Sequence, residues 1–389
     1  MIGVDISNVW GEVSLQELLA LEAEVAAAHE ALPERPEDAP QAERILAAAS
    51  RIREDSQVCV ILGIDGWALA ARGILELLQK DRQDSPRILF AGNTLSTRQW
   101  NGLKEELEGR DFSVIVLSAS GADMETGIAL RGLRWMLERK HGTDKASRRI
   151  YAVTAPEQGT LGTMAKEAGW EVFEAASGSA LTASLLPLAV AGVDIEEMMR
   201  SAREAEEEFD LRSLENPLWQ YVAVRNLMYR SGKAVELISA WEPDFGTFGR
   251  WWQQLFAAAE GREGKGLLPV PVELPGERLG LGQLVLHGRR NLFETMVRFA
   301  STGAKHTVGS QWNDPDGLNY LEGKTLDRVE EDSWFETVDA HAAAGVPVIT
   351  VDCGEPDGKN LARLIRFLEL SCAISAGVLG VVHEQTSEE

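Results

Sequence analysis

The chain has 389 residues, 44% hydrophobic and 25% charged, which is long enough for two folded domains and excludes a disordered or low-complexity protein. Its 38 Lys and Arg residues against 61 Asp and Glu residues give a formal net charge of −23. A chain this acidic repels phosphate backbones and anionic lipids, so we expect neither nucleic acid nor membrane as a partner.

The N-terminus lacks a basic start and an apolar core, so no signal peptide is expected, and no apolar run reaches the roughly 18 residues of a membrane span. The three cysteines are widely spaced, and Cys59 and Cys372 lie in apolar runs typical of buried thiols. The six histidines show no metal-ligand spacing. We therefore expect a cytoplasmic protein without a metal or a cofactor.

Two helices are predicted first, at residues 15–31 and 41–54, and apolar runs then alternate with amphipathic stretches. The runs SQVCVILGI, RILFAG, FSVIVLSAS and RRIYAVTA predict strands. Near-continuous apolar strands separated by helices indicate a parallel sheet covered on both faces. A helical region follows, and a second α/β pattern starts at GKAVELISAW. We predict an N-terminal helical segment (1–54), a first α/β domain (55–190), connecting helices (191–235) and a second α/β domain (236–389).

Two loops follow neighbouring strands of the first predicted sheet, at the edge where open α/β sheets bind ligands. The first contains Gly63, Asp65, Gly66 and Trp67. The second contains a cluster of small and acidic residues: Ser118, Ser120, Gly121, Asp123 and Glu125. Glycines and hydroxyls before a helix can hold phosphate, but the same residue types also cap helices. The residues alone leave both interpretations open.

Several stretches together resemble bacterial glucose-6-phosphate isomerases: FAGNTLS, YVAVRNLMYRSGKAVELISAWEP, WWQQLF, EGREGKGLLPV, GQLVLHGRRNLFET and DGLNYLEGKTLD. The resemblance runs from about residue 42 to 382. It implies two sugar-isomerase (SIS-type) three-layer α/β/α domains with mainly parallel sheets. It also implies a homodimer with its active site at the subunit boundary. The implied reaction interconverts glucose 6-phosphate and fructose 6-phosphate through an enediol, with a carboxylate base and a ring-opening histidine.

The residues that the resemblance matches to the family's site are mostly replaced. The family loop G-I-G-G-S is Gly63-Ile64-Asp65-Gly66-Trp67 here, and the phosphate loop S-K-S-G-T-T-T-E is Ser118-Ala119-Ser120-Gly121-Ala122-Asp123-Met124-Glu125. In each loop a carboxylate stands where the family has a glycine or a threonine. A carboxylate about 4 Å from a phosphate repels it by roughly 1 kcal/mol per charge pair in water, and by several at protein-like screening.

The same comparison places Ala258 at the position of the catalytic glutamate and Leu279 at that of the histidine. Gln254, Glu260 and Gly261 are retained in this region. The segment with the family's arginine is shortened, and the resemblance implies that the C-terminal lysine-bearing helix is absent.

We therefore predict a family member that is catalytically impaired or inactive, with a possible binding or regulatory role. An alternative is an active aldose–ketose isomerase with relocated groups, drawn from Glu125, Glu260, Lys265 and His287. In a third hypothesis, Asp65, Asp123 and Glu125 line the mouth of one pocket, and their carboxylates favour a cation or an amino compound as ligand.

Overall fold

The computed structural model describes residues 1–33, 41–78, 85–155, 159–176, 178–301, 303 and 306–381. The chain forms two compact units, which are described separately here. Pro33–Glu204 is the inserted unit, and Met1–Leu32 with Ala205–Glu389 is the flanking unit. Residues 1–32 therefore associate with the C-terminal half of the chain. The second predicted α/β domain is described to residue 381, and His383 lies outside the described residues.

The inserted unit contains a parallel sheet with strand order β3-β2-β4-β5-β6. Its strands are β2 (Val58–Leu62), β3 (Arg87–Ala91), β4 (Phe112–Leu117), β5 (Ile150–Thr154) and β6 (Glu171–Glu174). Its helices are α2 (Ala42–Asp55), α3 (Gly66–Leu78), α4 (Thr97–Leu107), α5 (Met124–His141), α6 (Thr143–Ser147), α7 (Thr160–Ala168) and α8 (Ala180–Val190). Helix α9 (Ile195–Phe209) contains the boundary between the units.

Both faces of this first sheet are buried, as the continuous apolar runs predict. Val58, Val60 and Leu62 pack with leucines of α5 and α7 on one face. The side chains between these residues point to the opposite face of the sheet. Helices α2, α3 and α8, which pack against one another, cover that face. The predicted α/β class is confirmed for this unit.

The flanking unit contains a second sheet with strand order β1-β10-β9-β7-β8. Its strands are β1 (Gly3–Asn8), β7 (Val235–Ala240), β8 (Leu268–Glu273), β9 (Leu292–Arg298) and β10 (Val348–Asp352). Its helices are α1 (Leu15–Glu30), α10 (Pro217–Arg230), α11 (Phe245–Glu260), α12 (Leu274–His287), α13 (Leu326–Ala343) and α14 (Gly358–Val378). All pairings are parallel except that of β1 with β10.

Strand β1 corrects the prediction that residues 1–54 are helical. Gly3–Asn8 pairs antiparallel with β10, whose residues lie more than 300 positions later in the chain. The six residues GVDISN alternate exposed and half-buried side chains at the sheet edge and carry no continuous apolar run. The partner that makes them a strand is therefore remote in sequence.

A buried polar network connects the elements of the flanking unit. The Arg225 guanidinium of α10 donates to Glu236 of β7 at 2.7 Å and also pairs with Glu260 of α11. Glu236 accepts further hydrogen bonds from the Tyr221 hydroxyl at 2.8 Å and from Thr295 of β9 at 2.7 Å. Both carboxylates are fully buried, so their hydrogen bonds are formed without competition from bulk water.

The substitution Arg225→Met should lower the free energy of unfolding by about 3–5 kcal/mol, because it leaves Glu236 and Glu260 buried without their shared cation. Urea unfolding followed by circular dichroism measures the loss. Arg212→Met is the matched control, since Arg212 pairs with Glu30 at the surface at 2.7 Å and should cost less than about 1 kcal/mol. Equal losses in the two variants would contradict a structural role for the buried network.

Candidate functional site

The first candidate loop lies at the carboxyl end of β2. Gly63 has no room for a side chain, because a Cβ there would lie 2.8 Å from the Leu117 carbonyl oxygen and 2.8 Å from Ala68 Cβ. The Asp65 carboxylate accepts hydrogen bonds from the backbone N–H groups of Trp67, at 3.0 Å, and Ala68, at 3.4 Å. Asp65 therefore caps α3 and occupies the N–H groups that a bound anion would otherwise use.

Trp67 turns into the protein rather than toward a ligand. Its side chain is only 4% exposed, at the start of α3, where five of the following seven residues are also buried. An indole in the first turn takes up the space next to the loop that a small hydroxyl residue would leave open. This local arrangement agrees with helix capping and core packing at this turn.

The second candidate loop, at the carboxyl end of β4, is also closed by its own hydrogen bonds. The buried Ser118 hydroxyl donates to the Asp123 carboxylate at 2.7 Å and accepts from the Gly121 N–H at 2.9 Å. Ser120 accepts from the Ala122 N–H at 3.2 Å. Gly121 has a φ of +75°, and a Cβ there would lie 2.5 Å from the Leu161 backbone nitrogen, so only glycine fits.

The two loops lie side by side, as predicted, because β2 and β4 are adjacent parallel strands. Burial raises the pKa of Asp65 to about 6, and the nearby negative charge of Asp123 adds to this effect against the N–H groups of Trp67, Ala68 and Ala119. Glu125 is half-buried in the first turn of α5. Carboxylates that face one another at this edge disfavour an anionic ligand.

The remaining matched residues belong to the flanking unit. Gln254 and Ala258 are one helical turn apart on the exposed face of α11. Glu260 is fully buried in its ion pair with Arg225, which corrects its prediction as a ligand-pocket residue and as a replacement catalytic group. Gly261 is exposed where α11 ends, and its N–H donates to the Ala257 carbonyl at 3.0 Å.

The other candidates are surface residues. Leu279 of α12 is 84% exposed, and Lys265 pairs with Glu263 at 2.9 Å. His287 is exposed at the last position of α12. The neighbouring Arg290 donates to the Val285 and Leu286 carbonyl oxygens at 2.7 and 2.6 Å, so its side chain caps the C-terminal end of α12.

Sequence reasoning missed the polar network around Arg225. The signal that could have found it is Glu236, a charged residue inside the otherwise apolar strand VELISA. A buried carboxylate requires a partner, and Arg225 is one of three cations, with Arg230 and Lys233, in the eleven residues that precede Glu236. Cys59, Cys353 and Cys372 are buried free thiols, as expected for the first and the last of them.

Among the described residues, no group of three or more His, Cys, Asp or Glu side chains is arranged to hold a metal ion. Within the same described part of the chain, no helix is both long enough and apolar enough to span a membrane.

Comparison with solved structures defines the class of fold. A hypothetical protein from Thermus thermophilus superposes with a TM-score of 0.83 at 22% identity, over 97% of this chain and 94% of that one. A glucose-6-phosphate isomerase from Chlamydia trachomatis gives a TM-score of 0.72 at 13% identity, over 92% and 74%. A tagatose-6-phosphate ketose/aldose isomerase homologue from Clostridium novyi gives 0.54 at 12% identity, over 94% and 88%. The fold is that of the SIS-type phosphosugar isomerases, as predicted.

Sequence comparison then defines the family. Glucose-6-phosphate isomerases from Bacillus cereus and Bacillus thuringiensis are 39% identical to this chain over 353 residues, which is 87% of this chain and 78% of theirs. No protein-family profile matches the chain. The extent and identity of the match show that this chain belongs to the glucose-6-phosphate isomerase family.

The raised pKa of Asp65 predicts a specific pH dependence of stability. Between the ordinary pKa of 3.8 and the folded value of about 6, the native state binds more protons than the unfolded state, so this carboxylate destabilises the fold as pH rises. Asp65→Asn keeps an oxygen that caps α3 but cannot ionise. The free energy of unfolding of this variant minus that of wild type should therefore increase by up to about 3 kcal/mol between about pH 4 and pH 7.

Urea unfolding at a series of pH values measures this difference. Glu105→Gln, on the exposed side of α4, is the control and should show no comparable change with pH. A difference between Asp65→Asn and wild type that stays constant with pH would contradict the burial of an ionisable carboxyl at this turn.

Proposed function

We propose that this protein is a catalytically impaired member of the glucose-6-phosphate isomerase family, with a binding or regulatory role. The single observation that carries the proposal is the state of the two loops on the first sheet. Asp65 takes the N–H groups at the start of α3, and Asp123 takes the Ser118 hydroxyl. These donors are the groups that a sugar phosphate would need, and internal carboxylates now use them.

The residues matched to the family's catalytic groups support the same proposal. The position of the base is Ala258, and the position of the histidine is Leu279, so neither side chain can transfer a proton. Loss of one positioned acid–base group costs about 10²- to 10⁴-fold in rate, and here several are replaced together. We propose that a sugar or sugar phosphate is bound only weakly, and that the protein acts in the cytoplasm.

The alternative function is an active aldose–ketose isomerase with relocated groups. Glu125 favours it most, because it is half-buried beside the loop of Ser118 and Asp123. His287, which is exposed, and Lys265, which is half-buried, remain candidates in the flanking unit. Glu260 does not, because Arg225 holds it in the core.

A coupled assay of fructose 6-phosphate conversion to glucose 6-phosphate tests the proposal directly. Micromolar protein purified from a host without its own isomerase should give no rate above the blank. A clear rate that Glu125→Gln or His287→Asn abolishes would establish the relocated isomerase instead. A Bacillus cereus relative assayed in parallel is the positive control.

Removing the two internal carboxylates should restore anion binding to the first sheet. The double variant Asp65→Gly with Asp123→Thr should bind fructose 6-phosphate at least about tenfold more tightly than wild type, because each carboxylate repels a phosphate nearby. Isothermal titration calorimetry measures the change. Asp144→Asn, an exposed acid of α6 outside both loops, should leave binding unchanged. If the double variant binds fructose 6-phosphate as weakly as wild type, the two carboxylates are not what prevents binding at these loops.

We further propose that the protein is a homodimer, as the family resemblance implies, and that α12 lies in the interface. Leu279 and Leu284 of this helix are 84% and 55% exposed, so α12 presents two large apolar side chains to solvent.

Sedimentation equilibrium should give twice the protomer mass for wild type. Leu279→Glu should shift the equilibrium toward the monomer, because a charge then has to be buried in the interface. Leu95→Glu, at a leucine of the inserted unit that is 56% exposed, should stay dimeric. A monomeric wild type would overturn the proposed dimer.

A further inference from the structure

Helix α1 is attached to the flanking unit by few buried side chains. Of its 16 residues, only Leu18, Leu21 and Val25 are buried, and Leu15 and Leu19 are 60% and 52% exposed. The helix packs mainly against α10 and α14. An element with so little buried apolar surface opens more easily than the core beside it, so its attachment depends strongly on each remaining contact.

One of these contacts is a hydrogen bond between two aromatic side chains. In the last turn of α1, His29 Nδ1 accepts from the Nε1–H of Trp219, on α10, at 3.1 Å. The ring centroids lie 6.1 Å apart and the ring planes are 67° apart, so the indole meets the imidazole edge-on. The preceding Ala28 lies against α14, where a Cβ on Gly377 would be 2.9 Å from the Ala28 Cβ. The three helices therefore come together at the end of α1.

The donor of this hydrogen bond fixes the protonation state of the acceptor. An indole nitrogen can only donate, so His29 Nδ1 carries a lone pair and the proton of the neutral ring is on Nε2. A protonated imidazole has an N–H on both nitrogens and accepts no hydrogen bond. Protonation of His29 would therefore set two donors against each other. Trp219 is only 1% exposed, so its N–H cannot turn to bulk water instead.

The surroundings of His29 add to this preference for the neutral ring. Burial lowers the pKa of His29 below its ordinary value of 6.5, and the positive charge of Arg212 lowers it further, while Asp210 and Glu30 act in the opposite direction. Arg212 pairs with Glu30 at 2.7 Å and lies 3.9 Å from Asp210, so these charges partly offset one another. At the end of α1 the described residues of α10 and α14 contribute an indole and a glycine, which carry no charge.

We propose that His29 makes the attachment of α1 sensitive to pH: when its ring takes up a proton, the hydrogen bond to Trp219 is lost and α1 opens from α10, while the sheet of the flanking unit stays folded. The opened form takes up the proton more readily than the attached form. Attachment is therefore complete above the ordinary pKa of 6.5, and it weakens as the pH falls from there toward the lower pKa of the attached form. This behaviour does not depend on whether the protein catalyses a reaction.

Hydrogen–deuterium exchange of the full chain, measured by mass spectrometry at about pH 7.5 and about pH 5.5, tests this proposal. After correction for the pH dependence of intrinsic exchange, the protection of α1 should fall by up to about tenfold, because the opened form gains at most that factor one pH unit below 6.5. The protection of β7 and β9 should stay constant. Unchanged protection of α1, or an equal loss in β7 and β9, would overturn the proposal.

Variants at both ends of the hydrogen bond assign the response to His29. His29→Gln keeps an oxygen that can accept from Trp219 but cannot be protonated, so α1 should stay protected at both pH values. Trp219→Phe removes the donor, so the fall in protection should be smaller than in wild type. His141→Gln is the matched control, since His141 is also partly buried but lies on α5 of the inserted unit, and this variant should respond as wild type does.

Thermal unfolding confirms that each variant is folded before exchange is measured. A wild-type response in His29→Gln would overturn the assignment to His29, and so would loss of the response in His141→Gln.

Discussion

The fold of the flanking unit depends on the buried guanidinium of Arg225 and the two carboxylates that share it. Arg225 comes from α10, Glu236 from β7 and Glu260 from α11, so one cation fixes the position of two helices relative to the sheet. Ser375 of α14 accepts a further hydrogen bond from Arg225 at 3.2 Å. A buried charge network of this kind is costly to disrupt in part, because each partner that remains is left unpaired in a low dielectric.

This network is compatible with the proposed loss of catalysis, because it does not involve the positions matched to the family's catalytic groups. Glu260 and Ala258 are two residues apart on α11, but the helix turns them to different surroundings, one buried and one exposed. An alanine at the exposed position leaves the network unaffected. Glu260, which the network needs, is present, whereas the position that the family resemblance matches to the catalytic base is Ala258.

Sequence predicted the parts of the structure whose signal is local. Strands β2 and β4 are continuous apolar runs, and their adjacency brought the loops of Asp65 and Asp123 together as expected. Strand β8 was not predicted, because Pro269 and Pro271 obscure it and are tolerated only since it lies at the sheet edge. Strand β1 needed a partner near residue 350. The burial of Glu260 could not be predicted either, since its partner Arg225 belongs to another helix and is 35 residues away in the sequence.

The same reasoning explains why a cavity of about 450 Å³ in the flanking unit had no sequence signature. Trp241 and Trp334, which line it, lie more than 90 residues apart, so only the strand order brings them to the carboxyl edge of the second sheet. Glu242 and Glu330 line the same cavity, and the negative charge of Glu242 helps to raise the pKa of Glu330. Neighbouring carboxyl groups relieve such repulsion by taking up a proton or by meeting a cation, so the electrostatics at this edge depend on residues brought together by the fold and not on the local sequence.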